Sequence, residues 1–182
     1  MLNRQQEYQK MSVVECNHWW YKTLHKLVLE SLFKYIPDRN SNILDAGCGS
    51  GGLITFLNSY QYKNIKGFDL SDDAVDLSKE KKLNVVHGDI KDIESIISKQ
   101  NFDAIISNDT LYFLKSREII KFMYSCSNGL RSGGVLILNI PVFKAFRGIH
   151  DISVGIQKRF SRQDYNIFLS HKDFRVVRKT FW

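Results

Sequence analysis

Residues 43–52, Ile-Leu-Asp-Ala-Gly-Cys-Gly-Ser-Gly-Gly, decide how the rest of the chain is read. The apolar pair Ile43 and Leu44 ends in Asp45 and passes into a glycine turn at Gly47, Gly49, Gly51 and Gly52, after which Leu53, Ile54, Phe56 and Leu57 recur at helical spacing. That order spells strand, tight loop, helix. Glycines are needed in such a loop because its backbone adopts angles that a side chain forbids, and because a ligand lies directly against the main chain. Gly47, Gly49 and Gly52, with Asp69 at about the expected distance, satisfy a dinucleotide fingerprint literally. Asp45 argues against that ligand, since a carboxylate beside the loop repels a pyrophosphate and attracts an ammonium group.

The run from Asp45 through Gly47, Gly49 and Gly51 resembles the first motif of class I S-adenosylmethionine-dependent methyltransferases, acidic, x, Gly, x, Gly, x, Gly. S-adenosylmethionine carries an ammonium group and no phosphate, in keeping with Asp45. The resemblance implies a cofactor-binding set of Asp45, Gly47, Gly49, Gly51, Asp69 with Leu70, Asp89, Ile90 and Asn108. Asp69 closes the strand Asn64 to Phe68, where a carboxylate accepts both hydroxyls of a ribose. Asp89 and Ile90 follow the strand Leu83 to His87, at the positions that contact the adenine amino group and ring in the family. The fourth strand, Phe102 to Ser107, is a near-continuous apolar run suited to a parallel strand covered on both faces, and its end, Asn108 and Asp109, is expected to point into the cleft beyond the carboxyl edge of the sheet.

Further along, a helix is expected over residues 115–130 with Ile119, Ile120, Phe122 and Met123 inward. A Gly-Gly turn and a fifth strand, Val135 to Ile140, follow as in the family. Five strands alternating with helices predict a doubly wound, Rossmann-like parallel sheet. The expected organisation is one domain, 1–182, with a helical N-terminal cap over 1–40 and the core over 41–182. DFRVVRKTFW reads as a sixth strand. The family adds an antiparallel seventh, and the chain ends before one; a polypeptide cut short of it is the expectation.

Two clusters carry candidate chemistry. Before the core, His18, Trp19, Trp20 and Tyr21 resemble an aromatic group found near the start of some bacterial methyltransferases, where a helix covers the cofactor, though a helix packed by its tryptophans reads equally well. After the fifth strand, His150, Asp151, Gly155, Lys158, Arg159, Phe160 and Ser161 resemble a motif of methyltransferases acting on small molecules and glycans, with Ile156 where a histidine is usual. His150, steadied by Asp151, is therefore the candidate base, with Tyr112 and Asn108 as orienting groups and Arg159 as a substrate contact. Phe113 stands where related enzymes place a histidine. A base is needed only if the acceptor arrives protonated; otherwise alignment of the acceptor with the methyl group does most of the work, roughly 7 to 11 kcal/mol.

Composition limits the alternatives. The chain has 182 residues, 43% of them hydrophobic, and two prolines. No apolar run approaches the roughly 20 residues needed to cross a bilayer, and the first ten residues lack the apolar core of a signal peptide, so a cytoplasmic setting is expected. Cys16, Cys48 and Cys126 show no metal-ligand spacing, no metal site is expected, and Cys48 reads as a small buried filler. The net charge of +7 is concentrated beyond Val142, where nine basic residues face three acidic ones. That asymmetry suits an acidic partner such as a membrane surface, a nucleic acid or a phosphorylated substrate, and equally a solvated basic face. The sequence SNDT after the fourth strand lacks the Asn-Pro-Pro-aromatic motif of DNA amine methylases. The leading expectation is methyl transfer to oxygen or nitrogen of a small molecule. RNA or protein methylation and a non-catalytic cofactor-binding subunit are the alternatives.

Overall fold

The computed structural model describes residues 18–97, 101–140, 160, 168 and 172–180. Helix α1, Trp19–Tyr35, precedes an alternating series: β1 (Ile43–Ala46), α2 (Gly52–Ser59), β2 (Ile65–Asp69), α3 (Asp72–Glu80), β3 (Val85–His87), α4 (Ile93–Ile97), β4 (Phe102–Asn108), α5 (Ser116–Gly129) and β5 (Leu130–Asn139). Single 3-10 turns occupy Ile90–Asp92 and Leu111–Phe113. The five strands form one sheet in the order β3-β2-β1-β4-β5, with every pairing parallel. This is the doubly wound architecture expected from the sequence.

Alternation along the strands builds the two layers. Ile43 and Leu44 are both fully buried but join opposite clusters, as do Ile106 and Ile105. On one face Ile43, Ile65, Val85 and Ile106 pack against Val28, Leu29 and Leu32 of α1, Leu53, Ile54 and Leu57 of α2 and Val75 of α3. On the other, Leu44, Phe68 and Ile105 pack against Ile93 and Ile97 of α4, Ile119, Phe122, Met123 and Cys126 of α5, and the buried Phe160 and Phe168. Each fully buried Leu, Ile or Phe contributes about 1.5 to 3 kcal/mol. A strand such as β1, with all four residues buried, belongs at the centre of the sheet.

Several expectations are corrected in detail. Ile120 is 52% exposed, because the inward stripe of α5 runs through 119, 122, 123 and 126 and position 120 falls outside it. The fifth strand begins at Leu130 rather than Val135. Its Arg-Ser-Gly-Gly segment is a bulge within the strand, where Phe102 pairs with Leu130 and Ala104 with Val135, and Gly133 takes φ +78°. The third strand begins at Val85, two residues later than expected. No strand forms over 174–180. That segment lies beside α1 instead, with Tyr35 Oη donating to the Val177 carbonyl at 3.2 Å and Arg178 meeting Glu30 at 2.9 Å and Ser31 at 3.3 Å. Among the described residues no helix is long and apolar enough to cross a membrane.

Candidate ligand site at the carboxyl edge of the sheet

The chain runs outward from β1 through β2 to β3, then returns to lay β4 on the other side of β1. The loops after β1 and β4 therefore diverge and leave a crevice between them, the place where open α/β sheets bind ligands.

The glycine loop forms one wall. Gly47, Gly49 and Gly51 adopt φ of +81°, +53° and +79°, in the left-handed region that L side chains rarely adopt. A Cβ on Gly47 would come within 2.3 Å of Thr110 Cγ2, and one on Gly51 within 2.3 Å of Leu83 Cδ1. Gly51 opens helix α2 without a side-chain cap, so the first backbone N–H groups of an eight-residue helix face the loop. Cys48 is buried, with its Sγ over Gly67, where a Cβ would meet it at 2.8 Å; it is the small filler expected.

Asp69, at the end of β2, joins that wall. Its Oδ2 accepts the Gly49 N–H at 2.9 Å and its Oδ1 the Ser71 N–H at 3.0 Å. Each oxygen keeps lone-pair capacity for a further donor. Ser71 caps α3 by accepting from Ala74 N, and the neighbouring Leu70 is 61% exposed, an open apolar surface beside the crevice. Asp45 is buried in β1, just below the loop. Asp89 and Ile90 are half-buried past β3, where Asp89 caps the 3-10 turn by accepting from Lys91 N at 2.9 Å. His87 is an exposed strand-end residue with Nε2 3.0 Å from the Leu70 carbonyl oxygen.

The opposite wall comes from β4, β5 and α1. Asn108 Oδ1 is buried with no hydrogen-bond partner among the described residues, an acceptor awaiting a donor. Asp109 takes φ +51°. Its N–H donates to the Asn139 carbonyl at 3.0 Å, and its Oδ1 accepts from Asn139 Nδ2 at 2.8 Å. Burial pushes the Asp109 pKa up to about 6, with the Asn139 hydrogen bond and the Trp20 side chain opposing the rise. Tyr112 is half-buried and its ring lies 4.4 Å from that of the exposed Phe113.

The aromatic cluster of α1 separates into distinct roles. His18 caps the helix, its Nδ1 accepting from Trp20 N at 3.3 Å, while Trp19 is 64% exposed. Tyr21 leads into a ring series with His25 at 6.2 Å and from there to Phe56 of α2 at 5.4 Å. Burial lowers the His25 pKa to about 4. The structure thus brings together the loop, Asp69, Asn108 and Trp20 at one edge. His150, Asp151 and Arg159 lie outside the described residues. Asp109, beside Asn108 at the end of β4, lies at the carboxyl edge where the sequence sends that strand end, whereas Thr110 and Asn139 were missed as contributors; the polar run Ser107 to Thr110 at a strand end was the available signal.

The profile of the methyltransferase domain family matches residues 43–134, just over half of the chain. The chain belongs to the class I S-adenosylmethionine-dependent methyltransferases. Within that family it is 28% identical over 161 residues to a carboxy-S-adenosyl-L-methionine synthase from Campylobacter curvus, covering 85% of this chain and 62% of the relative. It spans about three fifths of the length of the curated relatives of that kind. Among solved structures it resembles magnesium protoporphyrin IX methyltransferase from Synechocystis PCC 6803, with a TM-score of 0.65, 18% identity and coverage of 87% of this chain and 75% of that one. It also resembles an amino pentose methyltransferase from Micromonospora echinaspora, with a TM-score of 0.60, 22% identity and coverage of 78% and 58%. Both likenesses establish the fold. The family's cofactor is S-adenosylmethionine, and the methyltransferase crevice fits it: glycines where a Cβ would intrude, a carboxylate with acceptor capacity for a diol, and a buried carbonyl oxygen lacking a donor.

Proposed function

We propose that this methyltransferase-domain protein transfers a methyl group from S-adenosylmethionine to oxygen or nitrogen of a small molecule, such as a sugar, a natural-product intermediate or another metabolite. The observation that carries the reading is the joint between Asp69 and the left-handed glycine loop, which pre-orders a diol acceptor beside an open backbone surface. Gly47, Gly49 and Gly51 admit the cofactor to the main chain, Asp69 takes the ribose hydroxyls, Leu70 and Ile90 flank the adenine, Asp89 accepts from its amino group, and Asp45 and Asn108 attract the methionyl ammonium end.

Bound S-adenosylmethionine supplies an already activated methyl group, so the protein's task is to align the acceptor and exclude water. Tyr112 and the α1 aromatics Trp19, Trp20 and Tyr21 border the acceptor side of the crevice. The resemblance of the segment after β5, which lies outside the described residues, assigns His150 with Asp151 to take the proton of a hydroxyl or ammonium acceptor and Arg159 to bind an anionic portion of the substrate. The basic C-terminal region extends that preference to acidic molecules.

Calorimetry with S-adenosylhomocysteine and with NAD, on the wild type and Asp69→Ala, tests the cofactor. Binding of the nucleoside product alone, lost in the variant, supports the reading; binding of NAD alone overturns it. Similarity to carboxy-S-adenosyl-L-methionine synthases over 85% of the chain favours a second reading, in which the protein modifies the cofactor itself. Mass spectrometry separates the two, since methyl transfer yields S-adenosylhomocysteine and an acceptor heavier by one methylene, whereas cofactor modification yields a heavier nucleoside.

A further inference from the structure

Two side chains at the far end of helix α3 reach back to the glycine loop. Ser78, fully buried, donates its hydroxyl to the Gly49 carbonyl at 3.3 Å. Lys81, the C-cap residue of α3, donates its ammonium to the Ser50 carbonyl at 2.8 Å and approaches the Ser50 hydroxyl oxygen at 3.5 Å. The start of the same helix is tied to the loop through Asp69, which accepts the Ser71 N–H with one carboxylate oxygen and the Gly49 N–H with the other. Gly49 is thus held on both sides, its N–H by Asp69 and its C=O by Ser78. These bonds decide which way the loop peptides face. In a trans peptide the N–H lies opposite the C=O, so a Gly49 carbonyl drawn onto α3 turns the Ser50 N–H away from that helix. Four of the six residues from 47 to 52 are glycine, the residue with the widest choice of backbone conformations, so the order of this loop has to be imposed by its neighbours. The Lys81 bond is charge-assisted, the stronger kind.

We propose that Ser78 and Lys81 are positioning residues for the glycine loop: they draw the Gly49 and Ser50 carbonyls onto α3, pre-order the backbone against which the cofactor lies, and thereby set cofactor affinity rather than the stability of the fold. Both act through the loop backbone, and a ligand that meets an ordered loop loses less freedom on binding than one that must order it. The effect on affinity rests on the cofactor reading above, whereas the tether is a property of the ligand-free chain.

Three readouts on the full chain test this together: calorimetric titration with S-adenosylhomocysteine, hydrogen exchange of the Gly49 and Gly51 amides in the ligand-free protein followed by nuclear magnetic resonance, and the urea midpoint. Those amides report on the loop because they donate to Asp69 and to the Cys48 carbonyl. Lys81→Met keeps an unbranched stem and removes the donor. It is expected to weaken S-adenosylhomocysteine binding about fivefold and to quicken loop exchange by a similar factor, with the urea midpoint unchanged. Lys81→Arg, which keeps a charged donor, restores most of both. Ser78→Ala shifts affinity and exchange in the same direction, and the double variant loses less than the product of the two single losses, because the two side chains hold adjacent peptides. Unchanged affinity in Lys81→Met, an equal loss in Lys81→Arg, or faster exchange spread through β1 and β4 with a lowered urea midpoint overturns the proposal. Failure of S-adenosylhomocysteine to bind the wild type overturns the cofactor reading, and ligand-free loop exchange still decides the tether.

Discussion

The Asp69 carboxylate accepts the backbone N–H of Gly49, twenty residues earlier, at 2.9 Å. A side chain from the end of one strand thus holds the loop that follows its neighbour, and the group that fixes the loop is also the group offered to a ribose. Asp69→Ala is therefore expected to weaken S-adenosylhomocysteine binding by about a hundredfold, through lost charge-assisted bonds and a loosened loop together. Titration calorimetry reads the loss; Asp69→Asn should retain part of the affinity, because its Oδ1 still accepts one donor.

Gly47 tests the packing of the two loops against each other. Gly47→Ala places a methyl group 2.3 Å from Thr110 Cγ2 at a φ of +81°, and a cost of about 2 to 4 kcal/mol follows from the left-handed conformation and the overlap. Thr110→Ser removes the opposing methyl and keeps the hydroxyl that bonds Ser107. Urea denaturation of the double variant should recover at least about 1 kcal/mol relative to Gly47→Ala alone.

Two desolvated groups, the buried His25 and the half-buried Asp109, titrate in opposition. His25, lowered to about 4 by burial, must stay neutral in the fold although it protonates near 6.5 when unfolded, so its contribution is present above about pH 6.5 and is lost as pH falls towards 4, up to about 3 kcal/mol. Asp109, raised to about 6 by burial, takes up its proton more readily when folded, so stability rises as pH falls from about 6 towards 4, by up to about 3 kcal/mol. In the wild type these slopes offset each other. Asp109→Asn should expose the His25 slope and make the protein more acid-labile between pH 7 and 4, and His25→Leu should expose the reverse; urea midpoints of the three proteins at pH 4.5 and 7.5 decide it.

The link from Arg178 to Glu30 and Ser31 lies at the surface, with about a third of the Arg178 side chain and nearly half of the Glu30 side chain exposed. Arg178→Ala should lower stability by no more than about 1 kcal/mol, and less at high salt. Thermal unfolding in low and high salt measures it.

The parts that were legible in the sequence are those whose cause is local. A left-handed loop needs glycine, a central parallel strand needs an unbroken apolar run, and Ser71 announces the start of α3; each is written within a few residues. What stayed hidden depends on residues far apart. The Arg-Ser-Gly-Gly bulge arises because β5 must stay paired with β4 on both sides of extra residues. The place of residues 174–180 beside α1 follows from contacts with Tyr35 and Glu30, which no pattern in DFRVVRKTFW announces. The union of Asp109 and Asn139 joins two distant segments, and only the strand-end position of Asp109 hinted at it.

Cys48 sits within the glycine loop with its sulfur pressed over Gly67. A thiol in that position reacts with an alkylating reagent only during the moments when the loop lifts away from β2. In a Cys16→Ser background, with Cys126 buried and its ionisation suppressed by burial, the rate of alkylation becomes a clock for loop opening, and a compound that occupies the crevice slows that clock before anything is known of the reaction it takes part in.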